Sequence, residues 1–361
     1  MIKVDGKNVS KSTVVLTGGG TAGHVIPHLA LLPCLRQNFS EIYYIGSTNP
    51  KEREIIEAEG IEFFPLECVK LRRGFSFKAI SKNLGIPIGF YKSLKNAGRL
   101  LDELKPDVVF SKGGFVALPV VRAAKKRNIP VVAHESDASL GLANRLSVDC
   151  CTVVCTTFDI DKKFKTVGPI IRPKIFEGDA NVVVKRHNLP IARNLLVLGG
   201  SLGAANINQA VHSTALELCE NYNVIHVCGR GKTSDLKHKN YVQIEFVDDI
   251  ENYLAWADIV VSRAGSNTLC ELMALGKPTL FIPLATGRGD QIDNVGHVLR
   301  HNAGAVLYEK DLSPTTFLDS IEKVWQEKDV YKIGTTNFAT DGASKVCYEI
   351  LFATGRDFVI P

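Results

Sequence analysis

No Cys-x-x-Cys pair occurs among the 361 residues, although the chain carries nine cysteines. That spacing is what zinc knuckles and thioredoxin-type sites need, so neither is expected. The count is odd and most of the cysteines lie in apolar runs, so buried, reduced thiols are expected. No run reaches the roughly 18 apolar residues of a membrane span. The first residues, MIKVDGKNVSKS, lack the apolar centre of a secretion signal, so none is expected. Residence in the cytoplasm, or on a membrane from its cytoplasmic side, is the consequent expectation. Low-complexity segments and short repeats are missing too. The net charge is only +5, and no nucleic-acid partner is expected. Charge of one sign is missing locally: between Glu67 and Asp102 no acidic residue occurs, while Lys70, Arg72, Arg73, Lys78, Lys82, Lys92, Lys95 and Arg99 do, interleaved with Phe, Ile, Leu and Tyr.

What is present is a repeated alternation. Apolar, β-branched runs alternate with amphipathic stretches in both halves, the mark of parallel α/β sheets. The length allows two domains. In the first half the runs are TVVLTG (13–18), EIYYIG (41–46), DVVFSK (107–112), PVVAHE (130–135), CTVVCT (151–156) and KTVGP (165–169). In the second they are NLLVLGG, YNVIHVCG, VQIEFV, DIVVSRAG, KPTLFIP and GAVLYE, between 194 and 309. VGPIIRP (167–173) reads as a linker, which divides the chain into domains 1–168 and 169–341. The stretch 344–358 reads as a helix, and a terminal helix over about 342–361 is expected to pack back on the first domain.

Each half opens with a glycine-rich strand-to-helix loop: VVLTGGGTAGHVIPHLALL (14–32) and LLVLGGSLGAANINQAV (195–211). Such loops let the backbone approach a phosphate and aim helix N–H groups at it. Gly18, Gly20 and Gly23 can be fitted to a dinucleotide spacing, but Ser47, not an acid, follows the second strand, so a dinucleotide site is disfavoured. His24 starts the first helix, where the dipole disfavours its protonated form. It is therefore a candidate general base, with capping or packing as the alternative. Gly113 and Gly114 follow another strand and either cradle a ligand or make a tight turn. His134, Glu135, Ser136 and Asp137 end the next strand, where open α/β sheets bind ligands. His134 and Glu135 could instead form a structural pair. Ser201 could bind phosphate or cap a helix. Glu271 could take ribose hydroxyls or serve as a capping-box partner of Thr268. Arg288, Gly289, Asp290, Gln291 and Asn294 offer groups suited to sugar hydroxyls. Together these describe a nucleotide-sugar site in which N–H groups and helix dipoles, with no metal or other cofactor, stabilise a leaving diphosphate.

The motifs GGGTAGHVIPHLA, SKGGFVALPVV, HESDASLGLANR, GPIIR, GGSLGAANIN, EFVDDI, SRAGSNTLCELMALGKPTLFIPL and GRGDQIDNV run in this order over nearly the whole chain. In this the chain resembles the MurG glycosyltransferase family. The resemblance implies a GT-B fold, two Rossmann-like domains flanking a cleft. It implies inverting transfer of N-acetylglucosamine from UDP-GlcNAc to lipid I, the undecaprenyl-linked acceptor, to make lipid II in peptidoglycan synthesis. Cell-wall and division proteins are implied partners, and cell shape and division the implied roles. On the donor side it implies Val247 and Ile250 at the uracil and Glu271 at the ribose. Arg172, Ser201, Gly265, Ser266, Asn267 and Thr268 would hold the diphosphate, and Asp290 and Gln291 the GlcNAc. Thr21, Ala22 and Gly23 are also assigned to the donor. The acceptor would meet Gly19, Gly20, Gly113, Gly114 and Asn144. His24 is the implied base and Asp137 the second choice. The acid-free window, over 70–99, would dock on the anionic cytoplasmic leaflet; an ordinary solvated face is the alternative. The chain departs from the family pattern at Ala22 (commonly Gly), Asp137 (Asn), Leu202 (Gln) and Asp290 (Gln). Rival readings are a related GT-B enzyme on another lipid, a UDP-GlcNAc 2-epimerase, and a non-catalytic UDP-sugar-binding protein.

Overall fold

The computed structural model describes residues 2–4, 7–9, 12–20, 22–69, 86–190, 192–200, 203–285 and 289–356. The chain forms two compact units, Met1–Ile170 with Asp341–Pro361, and Ile171–Thr340. The crossing point lies inside VGPIIRP, whose prolines and glycine suit neither strand nor helix.

The first unit begins with a short antiparallel hairpin, β1 (Ile2–Val4) and β2 (Lys7–Val9), which the periodicity does not announce. Its sheet has seven parallel strands: β3 (Thr13–Thr17), β4 (Glu41–Gly46), β5 (Glu62–Pro65), β6 (Val108–Ser111), β7 (Val131–Glu135), β8 (Val153–Thr156) and β9 (Lys165–Thr166). Their order is β5-β4-β3-β6-β7-β8-β9. All but β5 coincide with the apolar runs. EFFP is short, and it begins with a charge and ends in proline, so alternation is absent. The helices are α1 (Ala22–Asn38), α2 (Pro50–Glu57), α3 (Ile86–Leu104), α4 (Ala117–Lys125) and the single turn α5 (Leu142–Arg145).

The central strands bury both faces, as parallel sheets must. Val14 and Leu16 pack with Leu31 and Leu35 of α1 on one face. Val15 packs with Ala97 and Leu101 of α3 and Val120 of α4 on the other. The C-terminal helix, Gly342–Ala353, adds Val346, Cys347, Ile350 and Leu351 to the α1 side. One cysteine expectation is thereby corrected. Cys34 on α1 and Cys347 on this helix form a disulfide across 313 residues of sequence, with Cα atoms 6.6 Å apart. Two helices packed side by side bring together thiols that no local spacing relates. The other seven cysteines form no disulfide.

The second unit has six parallel strands: β10 (Arg193–Leu198), β11 (Tyr222–Val227), β12 (Tyr241–Ile244), β13 (Ile259–Ser262), β14 (Thr279–Phe281) and β15 (Ala305–Val306). Their order is β12-β11-β10-β13-β14-β15. The helices are α6 (Ala180–His187), α7 (Ala205–Asn221), α8 (Ile250–Trp256), α9 (Ser266–Ala274), α10 (Asp290–Arg300), α11 (Pro314–Gln326) and α12 (Lys328–Thr335). In each sheet the order reverses once, between β3 and β6 and between β10 and β13. Ligands of open α/β sheets bind outside the carboxyl ends of the strands at such a switch point. Both glycine loops lie there.

Candidate active site

At the first switch point the two glycine turns pack on each other. Gly19 and Gly20 follow β3, with φ of 147° and 91°, and Gly113 and Gly114 follow β6, with φ of 78° and 85°. A Cβ on Gly114 would strike the Gly19 carbonyl, one on Gly20 would lie 2.6 Å from the Phe115 ring, and one on Gly113 would lie 2.8 Å from the Asn144 amide. Glycine is needed at these positions for space as well as for φ. His24 lies half-buried in the first turn of α1, beside the exposed Gly23. Ala22 opens that helix, and Thr21 lies outside the described residues.

Two buried charged residues underlie these turns, and sequence reasoning assigned neither a role. Glu52, in the first turn of α2, reaches back under the loop after β3. Its carboxylate accepts from Ser47 Oγ (2.6 Å), the Ser47 amide (3.0 Å) and the Gly20 amide (3.4 Å). The Gly20 N–H expected to face a phosphate is thus engaged from within. An acidic residue in the first turn of a helix just after a strand end is the signal that could have found it. Lys112 is 3% exposed, and its Nζ lies 2.7 Å from His134 Nδ1 and 2.5 Å from Ser136 Oγ.

The polar end of β7 does not form the His134 and Glu135 pair. His134 is fully buried between Lys112 and the Gly168 carbonyl, 3.3 Å from Nε2. Burial first, then the charge of Lys112, pushes its pKa well below the ordinary histidine value. Glu135 accepts from the amides of Ser136 (2.9 Å), Asp137 (3.1 Å) and Gly141 (2.7 Å) and from Asn144 Nδ2 (2.9 Å). It shapes the loop that carries half-buried Asp137. Asn144, expected at the acceptor, is 5% exposed and also donates toward the His134 carbonyl. His28, a turn beyond His24, is fully buried, its pKa pushed down to about 3 by desolvation and by Lys112.

The second switch point is more open. Gly200 and Gly203, with φ of 77° and 68°, flank Ser201 and Leu202, which lie outside the described residues. Gly265 caps α9, and Ser266, Asn267 and Thr268 form its first turn. Among the described residues, a Cβ on Gly200, Gly265 or Gly289 would meet nothing within 4 Å. Thr268 lies inside the helix, so the capping-box reading of Thr268 and Glu271 does not hold. Arg172 instead grips Glu271, with both Nε (3.1 Å) and Nη2 (2.9 Å) on the single oxygen Oε1. Burial raises the Glu271 pKa and the guanidinium pulls it back. Residues 286–288, including Arg288, lie outside the described set. Gln291 uses its Oε1 to accept from the Leu284 amide (2.9 Å) and the Ala264 amide (3.3 Å), so its NH2 is the end suited to a sugar. Half-buried Asp290 starts α10, and buried Asn294 donates to the Ala264 carbonyl (3.1 Å). Val247 helps line a cavity of about 500 Å³ with Phe246, Asp249 and Tyr253, and Ile250 begins α8 next to it.

Residues 14–156 match the glycosyltransferase family 28 N-terminal domain, and residues 194–347 match the family's C-terminal domain. The chain belongs to glycosyltransferase family 28, the MurG glycosyltransferases. It is 40% identical over 353 residues (94% of this chain, 98% of the relative) to the UDP-N-acetylglucosamine--N-acetylmuramyl-(pentapeptide) pyrophosphoryl-undecaprenol N-acetylglucosamine transferase of Clostridium botulinum (strain Langeland / NCTC 10281 / Type F). It is 44% identical over 333 residues to the protein of that name in Lachnoclostridium phytofermentans, covering 88% of this chain and 92% of the relative. Among solved structures, Acinetobacter baumannii MurG matches with a TM-score of 0.74 at 23% identity, covering 95% of this chain and all of that one. A UDP-N-acetylglucosamine 2-epimerase matches at 0.67 and 14%, over 98% and 99% of the two chains, a likeness of fold alone. The two parallel-sheet domains are those of the GT-B fold, and the chain is a glycosyltransferase.

Beyond the glycine turns, α3 presents the described part of the acid-free window. Ile88 and Tyr91, each 66% exposed, lie on one helical face with exposed Lys92, Lys95 and Arg99. Buried Ser93, Ala97 and Leu101 occupy the other face. Residues 70–85 of that window lie outside the described set. Among the described residues no helix is long and apolar enough to cross a membrane.

Proposed function

We propose that this enzyme transfers N-acetylglucosamine from UDP-GlcNAc to lipid I with inversion, forming lipid II on the cytoplasmic face of the membrane. The observation that carries this reading is the 40–44% identity to relatives of that activity over 88–94% of the chain. The second domain binds the donor. Residues 265–268 present the N-terminus of α9 to the diphosphate, and Ser201, in the loop flanked by Gly200 and Gly203, is assigned to the same group. Glu271 accepts ribose hydroxyls through Oε2, since Arg172 takes Oε1. Arg172, held against Glu271, adds a positive charge for the donor diphosphate. Val247 and Ile250 hold the uracil, and Asp290 and the Gln291 NH2 hold the GlcNAc. The first domain binds the acceptor at Gly19, Gly20, Gly113, Gly114 and Asn144; Thr21, Ala22 and Gly23 are assigned to donor recognition.

In the reaction the acceptor hydroxyl oxygen attacks the anomeric carbon on the face opposite the diphosphate. The bond from that carbon to the UDP oxygen breaks, and UDP leaves with its charge held by backbone N–H groups. His24, or failing it Asp137, takes the hydroxyl proton. Exposed Ile88 and Tyr91 insert among lipid head groups while Lys92, Lys95 and Arg99 meet anionic phosphates.

Radiolabelled UDP-GlcNAc with a lipid I analogue tests the activity. Label is expected in the lipid; label left in UDP-GlcNAc, intact or epimerised, overturns the reading. Vesicles with and without anionic lipid test the docking face. Binding that is indifferent to anionic lipid at low salt removes it.

A further inference from the structure

Three neighbouring strands end on one lysine. The Lys112 backbone amide donates to the Thr17 carbonyl of β3 (2.9 Å). Its stem lies against Gly18, where a Cβ would be 3.3 Å from Lys112 Cβ. Its ammonium reaches His134 and Ser136 at the end of β7. It immediately precedes Gly113, whose turn packs on Gly19 and Asn144 through Gly114 and itself.

The hydrogen bonds around His134 have one consistent direction. The Gly168 carbonyl can only accept, so His134 Nε2 carries the hydrogen. A neutral imidazole with Nε2–H has a lone pair at Nδ1, and Lys112 must donate to it. The lysine thereby sets the tautomer of His134 and holds Ser136, the residue before Asp137. A second consideration concerns charge. Glu52 places a buried carboxylate on the Gly20 amide, which works against an incoming anion at that turn. A buried cation one residue from Gly113 works the other way, and its field is screened little by water.

We propose that Lys112 is a positioning residue of the acceptor side: it orients the β7 end through His134 and Ser136, and it supplies the buried positive charge that draws the diphosphate of the acceptor to the Gly113 and Gly114 turn. This rests on the acceptor assignment above. The substrate class concerned is a diphosphate-linked acceptor; the donor is bound by the other domain and is not served by Lys112.

The test uses the full chain. Long-range 15N–1H correlation of the wild type should show a histidine with Nε2–H and an unprotonated Nδ1, and Lys112→Met should shift that Nδ1 resonance. With the lipid I analogue, Lys112→Met should raise the acceptor KM about tenfold or more, leaving kcat within about threefold and the UDP-GlcNAc KM unchanged. Lys112→Arg should recover most of the loss. If Lys112→Met does not fold, as judged by circular dichroism and urea unfolding, Ser136→Ala removes one contact only and should raise the acceptor KM alone, about threefold. A wild-type His134 protonated at Nδ1 overturns the proposal without any variant. So does an unchanged acceptor KM, or an equal rise in both KM values. A wild type that transfers no GlcNAc overturns the functional reading itself, and the acceptor role of Lys112 with it.

Discussion

At the first switch point the glycines are filled from within: Gly114 sits on the Gly19 carbonyl, Phe115 covers Gly20, and Glu52 holds the Gly20 amide. At the second, among the described residues, Gly200, Gly265 and Gly289 have open space where a side chain would be, whereas Gly203 is pressed on the Cys228 carbonyl and Gly199 on the Ala204 amide. The same residue type therefore serves two purposes. In the first domain glycine permits two turns to interlock into a stiff surface above buried charges. In the second, Gly199 and Gly203 also let backbones pack closely, while Gly200, Gly265 and Gly289 keep backbone N–H groups approachable. A stiff surface suits chemistry that depends on placing one hydroxyl and one base, because misplacement by about 1 Å is costly. Approachable backbone suits binding of a diphosphate.

Four experiments would break or sharpen this contrast. His24→Ala should have the largest effect, lowering turnover about 10²- to 10⁴-fold with UDP affinity unchanged; turnover at the wild-type level would remove chemistry from the first switch point. Gly114→Ala should lower stability by about 2–4 kcal/mol, since both φ and the Gly19 carbonyl oppose a Cβ. Gly265→Ala should melt within a degree or two of the wild type while weakening UDP binding. The reverse order of melting temperatures would invert the comparison. Glu271→Gln should weaken UDP binding about tenfold, seen by calorimetry, without changing acceptor KM.

The fourth experiment asks whether the two domains share one kind of acid sensitivity. His28 in the first and His226 in the second are buried, and desolvation, the largest cause in each, lowers both to about 3. A histidine whose folded pKa lies below its unfolded value gives stability that is complete above about pH 6.5 and declines as pH falls toward 3. Each site should therefore cost about 2 kcal/mol between pH 7 and pH 5. Urea unfolding of His28→Gln and His226→Gln at both pH values should show a smaller acid loss than the wild type. An unchanged loss in one variant would locate the sensitivity in the other domain.

Sequence by itself determined the α/β class, twelve of the thirteen strands of the two parallel sheets, the linker and the family. These follow from β-branched runs, glycine at strand ends and motif order, all of which are local. EFFP escaped because a four-residue edge strand carries too little pattern. The N-terminal hairpin escaped for the same reason. Only the tertiary structure decided which polar residues meet. Glu52 reaches Gly20 across 32 residues, Arg172 reaches Glu271 across 99, and Cys34 reaches Cys347 across 313. Lys112, His134 and Gly168 are likewise remote in sequence. Such partners are set by strand order, and a parallel sheet places in adjacent positions strands that the chain visits many residues apart. The residue types at the strand ends were legible; the hydrogen bonds that separate the filled first switch point from the more open second one were not.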